Sequence, residues 1–182
     1  MSGDESLLKG KHILAVDDEE DILETIKDIL DESVIGWSRD YEDASKKIKA
    51  GKWDLAILDI MGVNGLQLLE ESVDRGIPTV MLTAHAVNPE TLMESIQKGA
   101  ISYLPKTKLS ELDDLLNAIL GAYHRNESTW DLLLEKLWGY FEKRWGPGWQ
   151  ERDREFWSEF CRTCSIGKKI QERLLRDKRI GS

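Results

Sequence analysis

The chain has 182 residues, of which 32% are charged and 41% are hydrophobic, and it carries a formal net charge of −9. These are the proportions of an ordinary soluble globular protein. No stretch approaches the roughly 20 apolar residues that cross a bilayer, and the first residues lack the apolar run of a secretory signal, so we expect a cytoplasmic protein without membrane contact. The two cysteines, Cys161 and Cys164, are too few for a disulfide framework.

Charge and aromatic content divide the chain near residue 124. Residues 1–124 contain 12 Lys and Arg against 24 Asp and Glu, whereas residues 125–182 contain 13 against 10. The net charge therefore changes from −12 to +3. Five of the seven tryptophans also lie beyond this point. Since the chain is long for one domain and short for two, we predict a domain over residues 9–124 and an extension over residues 125–182.

Apolar runs of strand length recur five times in the first part of the chain, separated by segments with helical periodicity. In two of these runs, at 13–16 and 55–58, apolar residues follow one another without alternation, as is typical of parallel strands covered on both faces. The predicted strands are His12–Val16, Val34–Trp37, Leu55–Leu58, Thr79–Leu82 and Ser102–Leu104.

The segments between these strands have the apolar faces of helices. Asn88-Pro89 begins one helix, with Pro89 at its first position, and Gly99 ends it. Right-handed crossovers then favour an α/β fold with a doubly wound, five-stranded parallel sheet. The clearest faces are those of the first helix, with Ile22, Leu23, Ile26, Ile29 and Leu30, and of the fifth, with Leu112, Leu115, Leu116, Ile119 and Leu120.

Beyond residue 124 the strand pattern stops. Ser128 and Asp131 have the spacing of a capping box that begins a helix, and Gly146-Pro147-Gly148 must end it. A second apolar stripe follows, so we predict a C-terminal α-helical hairpin. The first stripe is Trp130, Leu134, Leu137, Trp138, Phe141 and Trp145, and the second is Trp149, Phe156, Trp157, Phe160 and Cys164.

Polar residues follow the predicted strands where each one ends. Asp17 and Asp18 follow the first strand, Asp59 the third and Thr83 the fourth, and Lys106 comes shortly after the fifth. Ligands of doubly wound sheets bind outside the carboxyl ends of the strands, so we expect these side chains to converge. Three carboxylates at one edge repel each other, which either raises their pKa values or requires a cation. Mg²⁺ prefers such oxygen ligands and is readily shared with a phosphate.

This arrangement predicts phosphoryl transfer. An aspartate carboxylate can form an acyl phosphate, which makes Asp59 on the central strand the expected nucleophile. Lys106 and Mg²⁺ would neutralise the charge on the transferred oxygens, and the Thr83 hydroxyl would donate to them. Asp59, Thr83 and Lys106 are therefore the predicted catalytic residues.

Four sequence blocks together resemble those of two-component response regulator receiver domains: Val16-Asp17-Asp18, Leu58-Asp59-Ile60-Met61, Leu82-Thr83-Ala84 and Tyr103-Leu104-Pro105-Lys106. The resemblance covers roughly residues 9–123 and implies a flavodoxin-like sheet of strand order 2-1-3-4-5. It implies that Asp59 accepts a phosphoryl group from a sensor histidine kinase or phosphotransfer protein. Asp18, Asp59 and the Met61 carbonyl would bind Mg²⁺, with Asp17 acting mostly through water. Thr83 and Tyr103 would form a switch pair. Such a domain is a signalling switch that catalyses its own phosphorylation and dephosphorylation, and not a turnover enzyme.

One departure concerns the loop after Asp59. Receiver domains commonly carry a proline and a longer loop there, whereas here Gly65 follows after only five residues, 60–64. We expect either a tighter loop over the metal site or an earlier start of the next helix. A hydrolase of the haloacid type also uses strand-end aspartates with Mg²⁺, but it would need an aspartate where Met61 stands. His85, two residues past Thr83, is a hypothetical modulator of phosphoryl loss.

The extension needs a partner surface, because two helices cannot bury such apolar stripes by themselves. The partner is either the helical face of the first domain or the hairpin of a second chain, and we favour a symmetric homodimer. Output would then be protein contact, controlled from the face at 89–123. The alternative is a DNA-binding transcriptional regulator with a basic C-terminal end, although no helix-turn-helix signature precedes that end. The pair of cysteines is interpreted as structural and not as half of a zinc site.

Overall fold

The computed structural model describes residues 5–84 and 89–146, together with Ser158 and Arg162. Five strands alternate with helices, and a further helix follows the last of them. The strands are β1 (His12–Val16), β2 (Val34–Ser38), β3 (Leu55–Asp59), β4 (Thr79–Thr83) and β5 (Ser102–Pro105). The helices are α1 (Glu20–Ile29), α2 (Tyr41–Ala50), α3 (Gly65–Asp74), α4 (Pro89–Gln97), α5 (Leu112–His124) and α6 (Thr129–Trp145), with a 3-10 helix over Lys106–Glu111.

The strands form one parallel sheet of order β2-β1-β3-β4-β5. This confirms the predicted doubly wound α/β fold and its strand order. Every residue of β3 and β4 is buried, as expected of strands covered by helices on both faces. Helix α1 contacts α5, and α2 contacts α3. With right-handed crossovers these two pairs lie on opposite faces of the sheet.

The predicted strands were right in place, but four of them continue for one more residue. Asp59 is paired with Leu82, and Thr83 with Pro105, in the register of the sheet. Both polar residues therefore belong to their strands and do not follow them. The chain before residue 9 also joins the core: Leu8 is buried, and the amide of Leu7 donates to the side-chain oxygen of Asn117 on α5.

Helix α6 packs against α5 and β5 of its own chain. The Ser128 side chain accepts a hydrogen bond from the Asp131 amide, as the capping box predicts, and the helix ends at Trp145 before Gly146. Trp130, Leu133 and Leu137 join the main hydrophobic core, whereas Trp138 is 41% exposed. The predicted single stripe is therefore divided between a buried face and an outer face.

The second helix of the predicted hairpin lies outside the described residues, except that Ser158 and Arg162 are helical and exposed. The cysteine pair and His85 also lie outside the described residues. Within the described part of the chain, no helix has both the length and the apolar character to cross a membrane.

Candidate functional site

The carboxyl ends of the central strands bring the predicted acids together. Asp17 directly follows β1, and its amide donates to the carbonyl of Ser38 on β2. Asp59 ends β3, and the parallel register places Val16 beside Leu58. Because β1 and β3 are neighbours that end level with each other, their acidic residues face the same edge of the sheet. Both Asp17 and Asp59 are almost completely buried.

Lys106 is the first residue after β5 and lies against these acids. Its Nζ atom is 2.7 Å from Oδ2 of Asp17, 3.4 Å from Oδ1 of Asp59 and 3.2 Å from Oε1 of Glu19. Lys106, Asp17 and Asp59 were expected to converge from the sequence, whereas no role was assigned to Glu19. The lysine itself is nearly buried, so its charge acts on the two buried carboxylates with little screening by solvent.

The electrostatics of this cluster follow from burial and crowding of like charges. Burial and the neighbouring charge of Asp17 raise the pKa of Asp59 to about 6. Burial also raises the pKa of Asp17, although the contact with Lys106 opposes that effect. Burial lowers the pKa of Lys106, but the attraction of the three carboxylates around it, chiefly that of Asp17, outweighs this effect and raises that pKa above its usual value. One cation therefore only partly compensates the clustered acids.

The donor set at this edge suits a hard divalent cation. One carboxylate oxygen from each of Asp17, Asp18 and Glu19 lies within 4.8 Å of the others. In addition, Oδ2 of Asp17 is buried and forms no hydrogen bond of acceptable geometry with the described residues, although Lys106 is close enough for an ion pair. Oxygen ligands and an unsatisfied buried carboxylate oxygen are what Mg²⁺ fits. Asp59 lies beside this group and not within it.

The short loop after Asp59 has a specific geometry. Gly62 has a φ of +82°, and a Cβ atom built on it would meet Oδ2 of Asp18 at 2.6 Å. Asn64 also has a positive φ, 54°, and precedes α3, which begins at Gly65. A Cβ on Gly65 would overlap the carbonyl oxygen of Asp59. The loop therefore lies tightly against Asp18 and Asp59, and α3 begins directly after it.

The remaining predicted site residues lie on β4, on β5 and in this loop. Thr83 ends β4 and is buried. It lies opposite Pro105 of β5, and Lys106 directly follows that proline. Tyr103 is buried on β5, opposite Met81. Met61 is 66% exposed. The parts of Thr83 and Tyr103 in switching, and of Met61 in metal binding, stay predictions.

Comparison with known proteins identifies the class to which this arrangement belongs. Residues 13–120 match the family described as the response regulator receiver domain. The chain therefore belongs to the response regulator receiver domain family, as the four sequence blocks indicated. No curated protein matches the sequence at a significant level.

Solved structures agree with this assignment. A two-component response regulator from Clostridium difficile is 27% identical, with a TM-score of 0.56 over 60% of this chain and 95% of that one. A receiver domain protein from Methanospirillum hungatei is 25% identical, with a TM-score of 0.52 over 62% and 98%. A response regulator from Burkholderia pseudomallei, solved with a phosphorylated aspartic acid and a calcium ion, is 24% identical, with a TM-score of 0.50 over 57% and 71%. The last of these supports the fold alone.

Proposed function

We propose that Asp59 is the phosphoryl acceptor of this receiver domain and that the donor is a histidine kinase or a phosphotransfer protein. The main support is the convergence of Asp17 and Lys106 on the Asp59 carboxylate at one sheet edge. A strand-end aspartate that is buried against another carboxylate has no stabilising role in the fold, since both burial and the like charge act against its ionised form. Asp59 is better explained by its chemistry.

In the proposed reaction an oxygen of the Asp59 carboxylate attacks the phosphorus atom of a phosphohistidine. A P–O bond forms, the P–N bond breaks, and the released imidazole nitrogen takes up a proton. With a pKa of about 6, Asp59 is mostly ionised near neutral pH and is therefore competent as a nucleophile. Lys106 neutralises charge on the transferred oxygens, and the Thr83 hydroxyl donates to them.

Asp17 and Asp18, together with Asp59 and the Met61 carbonyl, are the groups that would hold Mg²⁺. When bound, this ion compensates the clustered carboxylates and the charge on the phosphoryl oxygens. This chain's own contribution is to keep the acids at one edge and to bury Asp17 and Asp59 away from bulk water.

The direct test is phosphorylation by acetyl phosphate with and without Mg²⁺, measured by intact mass. We expect one phosphoryl group on the wild-type protein, only in the presence of Mg²⁺, and none on Asp59→Asn. Asp74→Asn is the matched control, because Asp74 is an exposed aspartate at the end of α3 and should not affect the reaction. Equal phosphorylation of Asp59→Asn and wild type would contradict the assignment.

For the output, we propose protein contact through the C-terminal extension, in the cytoplasm. Helix α6 packs against β5, the strand that carries the predicted switch residue Tyr103. A change in the conformation of Tyr103 would therefore act on α6 through the strand that contains it, because α6 packs directly on β5. Trp138 on the outer face of α6 is a large, partly exposed apolar side chain, and burying such a side chain against a second copy would favour the predicted homodimer.

Sedimentation velocity with beryllium fluoride and Mg²⁺, a mimic of phosphorylation, tests this output. We expect a larger dimer fraction with the mimic than without it, and loss of that fraction in Trp138→Ala. The control is Trp37→Ala, which removes a tryptophan of similar exposure from β2, at the opposite edge of the sheet. A monomer at high micromolar concentration under both conditions would rule out the dimer.

A further inference from the structure

Glu19, directly after the acidic pair, makes two contacts within the proposed acceptor site. Its amide donates to Oδ1 of Asp17 at 2.9 Å, and its carboxylate accepts a hydrogen bond from Nζ of Lys106 at 3.2 Å. The first contact fixes the start of α1 relative to Asp17, and the second holds the lysine. Glu19 is also the N-cap residue of α1, but its side chain makes no capping hydrogen bond. The carboxylate is therefore directed to Lys106 and not to the helix.

The three carboxylates around Lys106 differ in how well they are bonded and in how exposed they are. An ammonium group has three N–H donors, and here it faces three anionic side chains. Among the described residues, the contact with Glu19 is the one that has the geometry of a hydrogen bond, whereas the closer contact with Asp17 leaves Oδ2 without one. The Glu19 side chain is 59% exposed, but those of Asp17 and Asp59 are 1% and 4% exposed.

These differences determine which contact can be given up. Because three carboxylates surround Nζ at ion-pair distance, a phosphoryl oxygen can reach Lys106 only if the ammonium moves away from one of them. Releasing Asp17 would leave a buried charge without its partner, which is costly. Releasing Glu19 costs little, because water solvates an exposed carboxylate and exposed ion pairs are weak.

We propose that Glu19 is a positioning residue that holds Lys106 toward the solvent side of the site until the phosphoryl group replaces it. This inference rests on the proposed function, since it assumes that Lys106 binds the group carried by Asp59. In the unphosphorylated protein the Glu19 carboxylate holds the Lys106 ammonium in one orientation. It also competes with an incoming anion for that ammonium. On phosphorylation the Lys106–Glu19 bond breaks and a Lys106–phosphoryl bond forms. Glu19 therefore lowers the affinity of the site for phosphoryl groups.

The competing role for Glu19 is that of a metal ligand, because its carboxylate lies near those of Asp17 and Asp18. The two roles predict opposite effects of removing the charge. A positioning residue that competes for Lys106 gives tighter binding of a phosphoryl mimic when it is lost. A metal ligand gives weaker binding of both Mg²⁺ and the mimic.

Titration calorimetry on Glu19→Gln and Glu20→Gln distinguishes these roles. Glu20 is the neighbouring exposed glutamate and pairs with Arg39 at 3.4 Å. Within the described part of the chain it forms no ion pair with Lys106, so its substitution removes the same charge nearby without touching the lysine. At saturating Mg²⁺ we expect Glu19→Gln to bind beryllium fluoride about two- to fivefold more tightly than Glu20→Gln, the range given by the loss of a partly exposed ion pair. Mg²⁺ affinities of the two variants should agree within about twofold. Equal or weaker binding of beryllium fluoride by Glu19→Gln, or a tenfold loss of Mg²⁺ affinity confined to it, would overturn the proposal.

A second measurement keeps this test separate from the proposed function. In protein labelled with ¹³C-lysine, the Lys106 Cε resonance, assigned with Lys106→Arg, should move in Glu19→Gln and stay in place in Glu20→Gln, without Mg²⁺ or any phosphoryl mimic. An unchanged Lys106 signal in Glu19→Gln would refute the positioning contact. If wild type binds no beryllium fluoride but the Lys106 signal moves, the failure lies in the proposed function and not in this contact.

Discussion

The buried carboxylate of Asp59 should make the folded protein less stable at neutral pH, and Asp59→Asn should remove that penalty. Asp59 has a pKa of about 6 in the folded protein, against 3.8 for an ordinary aspartate. The folded state therefore binds the Asp59 proton more tightly than the unfolded state does. Stability is highest below the lower pKa and is lost as the pH rises from about 4 through about 6. Asparagine has no charge to bury at any pH.

The size of the effect follows from the difference between the two pKa values. Each pKa unit corresponds to about 1.4 kcal/mol, so the full penalty on ionised Asp59 is about 3 kcal/mol at pH near 7.5. At pH near 4 the carboxyl is mostly protonated in the folded state, and the same difference leaves less than about 1 kcal/mol. For a protein of this length, about 3 kcal/mol corresponds to a rise in Tm of about 6–12 °C.

Urea unfolding of wild type and Asp59→Asn at both pH values, without Mg²⁺, measures this difference directly. We expect Asp59→Asn to be more stable by about 3 kcal/mol near pH 7.5, with most of the gain lost near pH 4. Asp74→Asn, at an exposed position, should stay within about 0.5 kcal/mol of wild type throughout. A variant no more stable than wild type at neutral pH, or a gain that does not depend on pH, would show that the electrostatic account of Asp59 is wrong.

Four further substitutions test the packing around the site and in the extension. Gly65→Ala should destabilise the protein by more than about 2 kcal/mol and slow phosphorylation, because its Cβ would overlap the Asp59 carbonyl. Gly139→Ala in α6 is the control: its Cβ meets open space, so it should stabilise the protein by about 0.5–1 kcal/mol. Equal changes in the free energy of unfolding, measured in urea, would contradict the prediction for Gly65. Trp130→Ala should cost about 3–5 kcal/mol through the cavity it leaves. Trp130→Phe should lower the free energy of unfolding by only about 1 kcal/mol or less. The substitution loses some packing, but it removes a buried indole N–H that has no partner among the described residues, and this offsets part of the loss. A loss as large as that of Trp130→Ala would contradict this explanation.

The sheet and its acidic edge could be predicted from the sequence because both depend on local patterns. Uninterrupted apolar runs identify buried parallel strands, and the residues that follow them must meet at one edge. The ends of β3 and β4 were missed by one residue, since an apolar run stops at Asp59 and Thr83 but their backbone pairing does not. Hydropathy records side chains, whereas strand ends are set by hydrogen bonds of the main chain.

Glu19 and the division of α6 could not be predicted for a different reason. Glu19 is one of several acids at the start of α1, and only the position of Lys106, distant in sequence, distinguishes it from the others. The Trp130 to Trp138 stripe has a single period, but which of its residues become buried depends on how α6 lies against α5 and β5. Both outcomes follow from tertiary contacts that leave no local signal.

The most direct test of the central claim is chemical mapping of the phosphorylated residue. After treatment with acetyl phosphate and Mg²⁺, borohydride reduces an aspartyl phosphate to homoserine, and tandem mass spectrometry locates the altered residue. The account predicts homoserine at position 59 alone, and none without Mg²⁺. Homoserine at position 17 or 18, or no modified aspartate in a protein that has demonstrably bound Mg²⁺, would contradict it.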